Sequence, residues 1–124
     1  MGTALARLNF VCGFDGRDVE FVMGGSATSS LTDPAFYVID FNQMRRLSED
    51  EDACVAEIVA AITDNDPYFP RPDGEVELWN IFRQTYLFGA CSDRDARVGR
   101  AVIGSLEEKM SSGSGRSKLV SRFN

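Results

Sequence analysis

The apolar positions divide the chain into four helical stripes and two short runs of strand formers. Leu5, Leu8 and Cys12 recur at helical spacing within residues 3–12, and Gly13 stops that segment. Val55, Ile58, Val59 and Ile62 predict a helix over 49–63. Ser48-Glu49-Asp50-Glu51 opens it with the spacing of a capping box, and the acids Glu49 to Asp52 suit the positive end of its dipole. Residues 75–90 are apolar nearly all round, through Val76, Leu78, Trp79, Ile81, Phe82, Tyr86, Leu87 and Phe88. Such a helix lies at the centre of a core or beneath a partner. Val98, Val102, Ile103, Leu106 and Met110 form the inward face of a last helix over 94–110, with Ser92 and Asp95 as its cap.

Two segments have strand character. VEFVM at 19–23 ends at Gly24-Gly25, and FYVIDF at 36–41 is bounded by Pro34 and Asn42. The glycines and aspartates of GFDGRD make a turn before the first strand, and residues 26–34 form a polar loop. The pair predicts an antiparallel hairpin, which needs helices against it to persist. The expected fold class is α+β, mostly helical: a two-stranded antiparallel hairpin packed on about four helices. Three prolines in DNDPYFPRPD make residues 64–73 a stiff, extended connector. Tyr68 and Phe69 are expected to dock on the helices, and Arg71 to meet a carboxylate. Residues 1–110 read as one globular domain, and 111–124 as a flexible, Ser/Gly-rich basic tail.

Composition narrows the function. With 124 residues, 44% hydrophobic and 26% charged, the chain is not collagen-like, disulfide-built or wholly disordered. No apolar run reaches the ~18 residues of a membrane span. Nineteen acids against thirteen bases give a net charge of −6, which argues against nucleic acid and anionic membranes as partners. The chain has no histidine, and Cys12, Cys54 and Cys91 stand far apart in apolar surroundings. Buried free thiols in a reducing, cytoplasmic setting are expected, with no zinc ligand set. Ser-His and Cys-His nucleophile pairs are excluded, so acid–base chemistry falls to other groups.

The candidate chemistry is carboxylate. Asp15 and Asp18 lie in the turn before the first strand, Glu20 within it, and Asp40 near the end of the second. A hairpin sets the start of one strand beside the end of the other, so Asp18 and Asp40 are expected to converge. Such carboxylates can hold a divalent cation, with Asp18 and Asp40 as ligands, or divide acid and base roles among Asp40, Asp15 and Glu20. Asp40 stands among Val38, Ile39 and Phe41, where a charge is costly unless it is paired or ligating. Salt bridges to Arg17, Arg45, Arg46 or Arg71, and turn formation by Asp15 and Asp18, are the structural alternatives.

GFDGRDVEFVMG, FYVIDFNQ and NDPYFPRP, followed by ELWNIFRQTYL, resemble a fungal family of unknown function whose members carry a zinc finger protein label. The resemblance covers roughly residues 3–88. That family in turn resembles the C-terminal lobe of the protein-kinase and aminoglycoside-phosphotransferase folds. The resemblance implies Asp15 at the position of the base, Asp18 at that of the loop metal ligand and Asp40 at that of the magnesium ligand. The glycine-rich phosphate loop and the strand lysine of those folds have no counterpart in the sequence. The expectation is therefore a degenerate C-lobe-like remnant without phosphoryl transfer.

Two functions follow. The first is a non-catalytic binding or oligomerising domain, a homodimer or a protein's partner, that covers its apolar helix on another surface. The alternative is a small cofactor-independent enzyme, a cyclase, isomerase or lyase. It would use Asp/Glu acid–base chemistry on an apolar metabolite among Phe10, Phe14, Phe21, Phe36, Tyr37 and Phe41. Neither needs a cofactor; a divalent cation at Asp18 and Asp40 is the third option.

Overall fold

Two extended segments and four helices build the fold, and the ribbon they share sets the position of the acidic residues. The computed structural model describes residues 1–25, 34–64 and 69–123, with side chains for 1–24, 35–64 and 69–110. Strands β1 (Glu20–Gly25) and β2 (Pro34–Ile39) pair antiparallel, with Glu20 opposite Ile39 and Met23 opposite Phe36. Opposed residues share a face. Val19 is fully buried, and the pair Phe21 and Val38 packs against the core, so this face points inward. Gly24 and Gly25 were expected to end β1 but form its last two residues. A Cβ on Gly24 would press within 3.3 Å of the Tyr37 ring, so a glycine there lets the ring lie flat on the strand. At the other end β2 stops at Ile39, two residues before the expected limit, because Asp40 turns to a φ of +68°.

The first helix, α1 (Gly2–Ala6), continues as a π-helical stretch, Arg7–Val11. There the Cys12 N–H donates to the Arg7 carbonyl five residues back, at 3.0 Å. Gly13, at a φ of +77°, then turns the chain out of the helix.

Helix α2 (Glu51–Asp64) begins later than the capping box predicts. Asp50 is its cap, accepting from the Ala53 N–H at 2.9 Å. A carboxylate is the stronger acceptor for a free helical N–H. Ser48 is drawn elsewhere: its N–H, at 2.9 Å, and its hydroxyl both donate to Glu57.

Helix α3 (Val76–Phe88) follows the connector, and Gly89 closes it. Helix α4 (Asp93–Phe123) carries the expected cap, with the Asp95 N–H donating to the Ser92 hydroxyl at 3.1 Å. Its expected inward residues, Val98, Val102, Ile103, Leu106 and Met110, are all buried. The flexible tail expected over 111–124 falls where side chains lie outside the described residues.

α1 packs on α3, and α4 lies against both α2 and α3. A chain of aromatic contacts ties the ribbon to the helices. Phe21 meets Phe69 edge-on at 5.5 Å, Phe69 meets Phe82 at 5.8 Å, and Phe82 stacks between Trp79 and Tyr86. These separations lie in the favourable range for ring pairs. Phe69 is thus docked as expected, whereas Tyr68 lies outside the described residues. Arg71 meets Asp73 at 3.2 Å.

α3 is not central on all sides. Trp79, Phe82 and Tyr86 are buried, while Val76, Leu78, Ile81 and Phe88 are exposed. The cysteines also differ from expectation: Cys54 is buried, but Cys12 and Cys91 are exposed, each just past a helix end where the chain turns outward. Among the described residues, no helix is long and apolar enough to cross a membrane.

Candidate functional site

The turn between α1 and β1 packs against the loop after β2, and Asp15 joins them. Asp15 is 5% exposed. Its Oδ1 accepts from the backbone N–H of Arg17 and of Arg45, each at 3.0 Å. The Asp15 N–H in turn donates to the Arg45 carbonyl at 3.0 Å, and Leu47 N–H donates to Gly13 at 2.8 Å. Phe14 and Arg46 form an isolated antiparallel bridge between these donors. A carboxylate can be buried when backbone donors replace its lost water.

Asp18 and Asp40 are different. Both are exposed, and both hold a left-handed backbone, at φ values of +59° and +68°. Asp tolerates that region better than most residues. Since Glu20 opposes Ile39, Asp18 and Asp40 flank the same end of the ribbon. Glu20, half-buried, stands on the outward face of that end. The register therefore places Asp18, Glu20 and Asp40 near one end of the ribbon, while Asp15 is turned into the packed interior.

The cost expected for a charge at Asp40 does not arise, because Ile39 and Phe41 beside it are themselves nearly half exposed. Among the described residues, the expected salt bridges do not form at Asp40. Arg17 reaches Asp64 at 3.3 Å, and Arg71 reaches Asp73. Among the described residues, no group of three or more Cys, Asp or Glu side chains is placed to hold a metal ion.

Between the first helix and α3 lies a polar contact that the stripe pattern does not show. The buried Asn9 donates through Nδ2 to the Phe14 carbonyl at 2.8 Å and accepts the Tyr86 hydroxyl at 2.8 Å. Burial, helped by the acidic groups Cys54 and Asp95, pushes the Tyr86 phenol far above its usual range. Burial likewise raises the Cys54 thiol, with Arg94 opposing it. The available signal was Asn9 one helical turn after Leu5, a polar residue on an apolar face.

Residues 36–93 match a family model of unknown function described as zinc finger protein. The match takes in β2, α2, the connector and α3. No curated protein and no solved structure matches the chain. The zinc in that description finds no fitting donors among the described residues. Histidine is absent from the sequence, Cys54 is buried, and Cys91, the other cysteine of the matched segment, is exposed.

Proposed function

We propose that this chain is a non-catalytic binding domain that pairs with a second copy of itself through the open part of its ribbon. The carrying observation is the pair Met23 and Phe36. It lies on the same face as Phe21 and Val38, which pack on the core, yet Met23 is 63% and Phe36 71% exposed. The inward face of the ribbon outruns the body it packs on. Val22, Tyr37, Ile39 and Phe41 add further exposed apolar surface.

Met23 and Phe36 offer on the order of 250 Å² on that face, while Val22, Tyr37 and Ile39 lie on the opposite one. A standard interface takes about 800 Å² from each partner, so the pair supplies the apolar centre of one. The exposed Leu78, Ile81 and Phe88 of α3 extend the apolar supply. Residues 21–25 and 34–39 carry no charge, so the matching surface is apolar, as a second ribbon is. The net charge of −6 favours protein over nucleic acid as partner. The family description is compatible with a binding role. The occupied Asp15 carboxylate supports the non-catalytic reading, because it is spent on backbone donors.

Sedimentation equilibrium of the full chain tests the proposal. A dimer at tens of micromolar is expected, with Met23→Asp plus Phe36→Asp shifting it to monomer while the far-ultraviolet dichroism stays the same. A native chain that remains monomeric at several hundred micromolar would overturn it.

A further inference from the structure

The open part of the ribbon and one flank of α3 are two uncovered apolar surfaces of the same molecule. On α3, Leu78 is 55%, Ile81 59% and Phe88 92% exposed. Their spacing of three and seven residues sets them along one flank of the helix, over about 15 Å. Between Leu78 and Ser92 the one charged residue is Arg83. It stands two positions past Ile81, about 200° around the helix, so this flank carries no charge. Residues 21–25 and 34–39 of the ribbon are likewise uncharged, in a chain that is 26% charged.

The areas decide between two ways of pairing. Ribbon against ribbon takes about 250 Å² of apolar surface from each copy through Met23 and Phe36. That is under a third of the ~800 Å² each partner gives to a standard interface, and it leaves α3 uncovered. Leu78, Ile81 and Phe88 add roughly 350 Å². Ribbon against α3, made twice, therefore takes about 600 Å² of apolar surface from each copy, before any polar rim.

Shape favours the same arrangement. Met23 and Phe36 continue the inward face beyond Phe21 and Val38, which meet the core, so a step lies beneath them. A helix, about 10 Å across with its side chains, presents a convex flank to such a step.

We propose that the ribbon of each copy clasps the Leu78, Ile81 and Phe88 flank of α3 in the other. This inference rests on the pairing of copies proposed above and names the surface that the ribbon meets. A two-fold axis repeats the contact, ribbon on α3 and α3 beneath ribbon, so one dimer covers both surfaces and closes.

Complementation between two variants of the full chain tests it by sedimentation equilibrium. One carries Met23→Asp plus Phe36→Asp, the other Leu78→Lys plus Ile81→Lys. Each alone is expected to dimerise at least tenfold more weakly than the native chain, with its far-ultraviolet dichroism unchanged. Mixed in equal amounts, they are expected to recover a heterodimer, because one contact is native and the other sets aspartate against lysine. Should the lysine variant lose helical dichroism, Leu78→Ser plus Ile81→Ser replaces it, and recovery then rests on the native contact. A dimeric native chain whose folded α3 variant dimerises equally well, or variants that stay monomeric when mixed at several hundred micromolar, would overturn the clasp and leave pairing through the ribbon standing. A native chain that is itself monomeric at that concentration would overturn both.

Discussion

The Tyr86 hydroxyl donates to Asn9 Oδ1 at 2.8 Å across 77 residues of sequence. This buried bond locks α3 to the π-helical stretch, and Asn9 passes the connection on to the Phe14 carbonyl beside Asp15. One side chain thus ties α3 to the turn that precedes β1.

The phenol makes that tie sensitive to alkali. Burial raises its pKa in the folded chain. Above pH about 10 the unfolded chain loses the Tyr86 proton while the folded chain keeps it. Stability is therefore fully present below pH about 10 and falls above it, by up to about 1.4 kcal/mol per pH unit from this group. Tyr86→Phe is expected to cost about 1–3 kcal/mol at pH 7 by stranding Asn9 Oδ1. It should also make the decline above pH 10 shallower, with the remaining slope including that of the raised Cys54 thiol. Urea unfolding of both proteins from pH 7 to 11 checks this, and parallel declines would contradict it.

Two glycines, one closing α3 and one inside α4, are expected to respond oppositely to alanine. A Cβ at Gly89 would collide with the Ala6 Cβ, where α3 closes against α1. Gly89→Ala should cost about 1–3 kcal/mol through overpacking. At Gly104, inside α4, a Cβ meets nothing within 4 Å. Gly104→Ala should add up to about 1 kcal/mol by helix propensity. Thermal unfolding of the two variants reads both signs.

Asp18 and Asp40 hold backbone angles that glycine adopts freely. If their conformation alone sets stability, Asp18→Gly and Asp40→Gly should leave it unchanged or raise it by up to ~1 kcal/mol, while alanine at either site lowers it by about as much. Calorimetry with magnesium, calcium and manganese supplies the functional arm. Heat from the native chain that vanishes in the double glycine variant would assign a cation to these carboxylates. Silence in both would leave them as turn residues.

Legibility in the sequence followed the range of the forces involved. The α4 stripe from Val98 to Met110 is read correctly because helical period and burial are both local facts. The hairpin and its antiparallel sense are read correctly because strand formers flank a polar loop. Strand ends were misplaced at Gly24-Gly25 and at Asp40, where a ring contact and a left-handed turn decide, not propensity. The cap of α2 passed from Ser48 to Asp50 because Glu57 claims Ser48. That competition is set by how α2 packs against the preceding loop.

The amino-acid order by itself determined the helical stripes, the hairpin and the concentration of acids around it, since each rests on neighbours within a turn or two of chain. Only the tertiary structure decided what those acids do for the fold. Asp15 is buried because Arg45, thirty residues away, brings it a backbone N–H, whereas Asp18 and Asp40 remain in water at the ribbon's end. The same packing left Met23 and Phe36 uncovered. Whether an apolar side chain finds a neighbour depends on how far the body extends beneath it, and no local pattern encodes that distance.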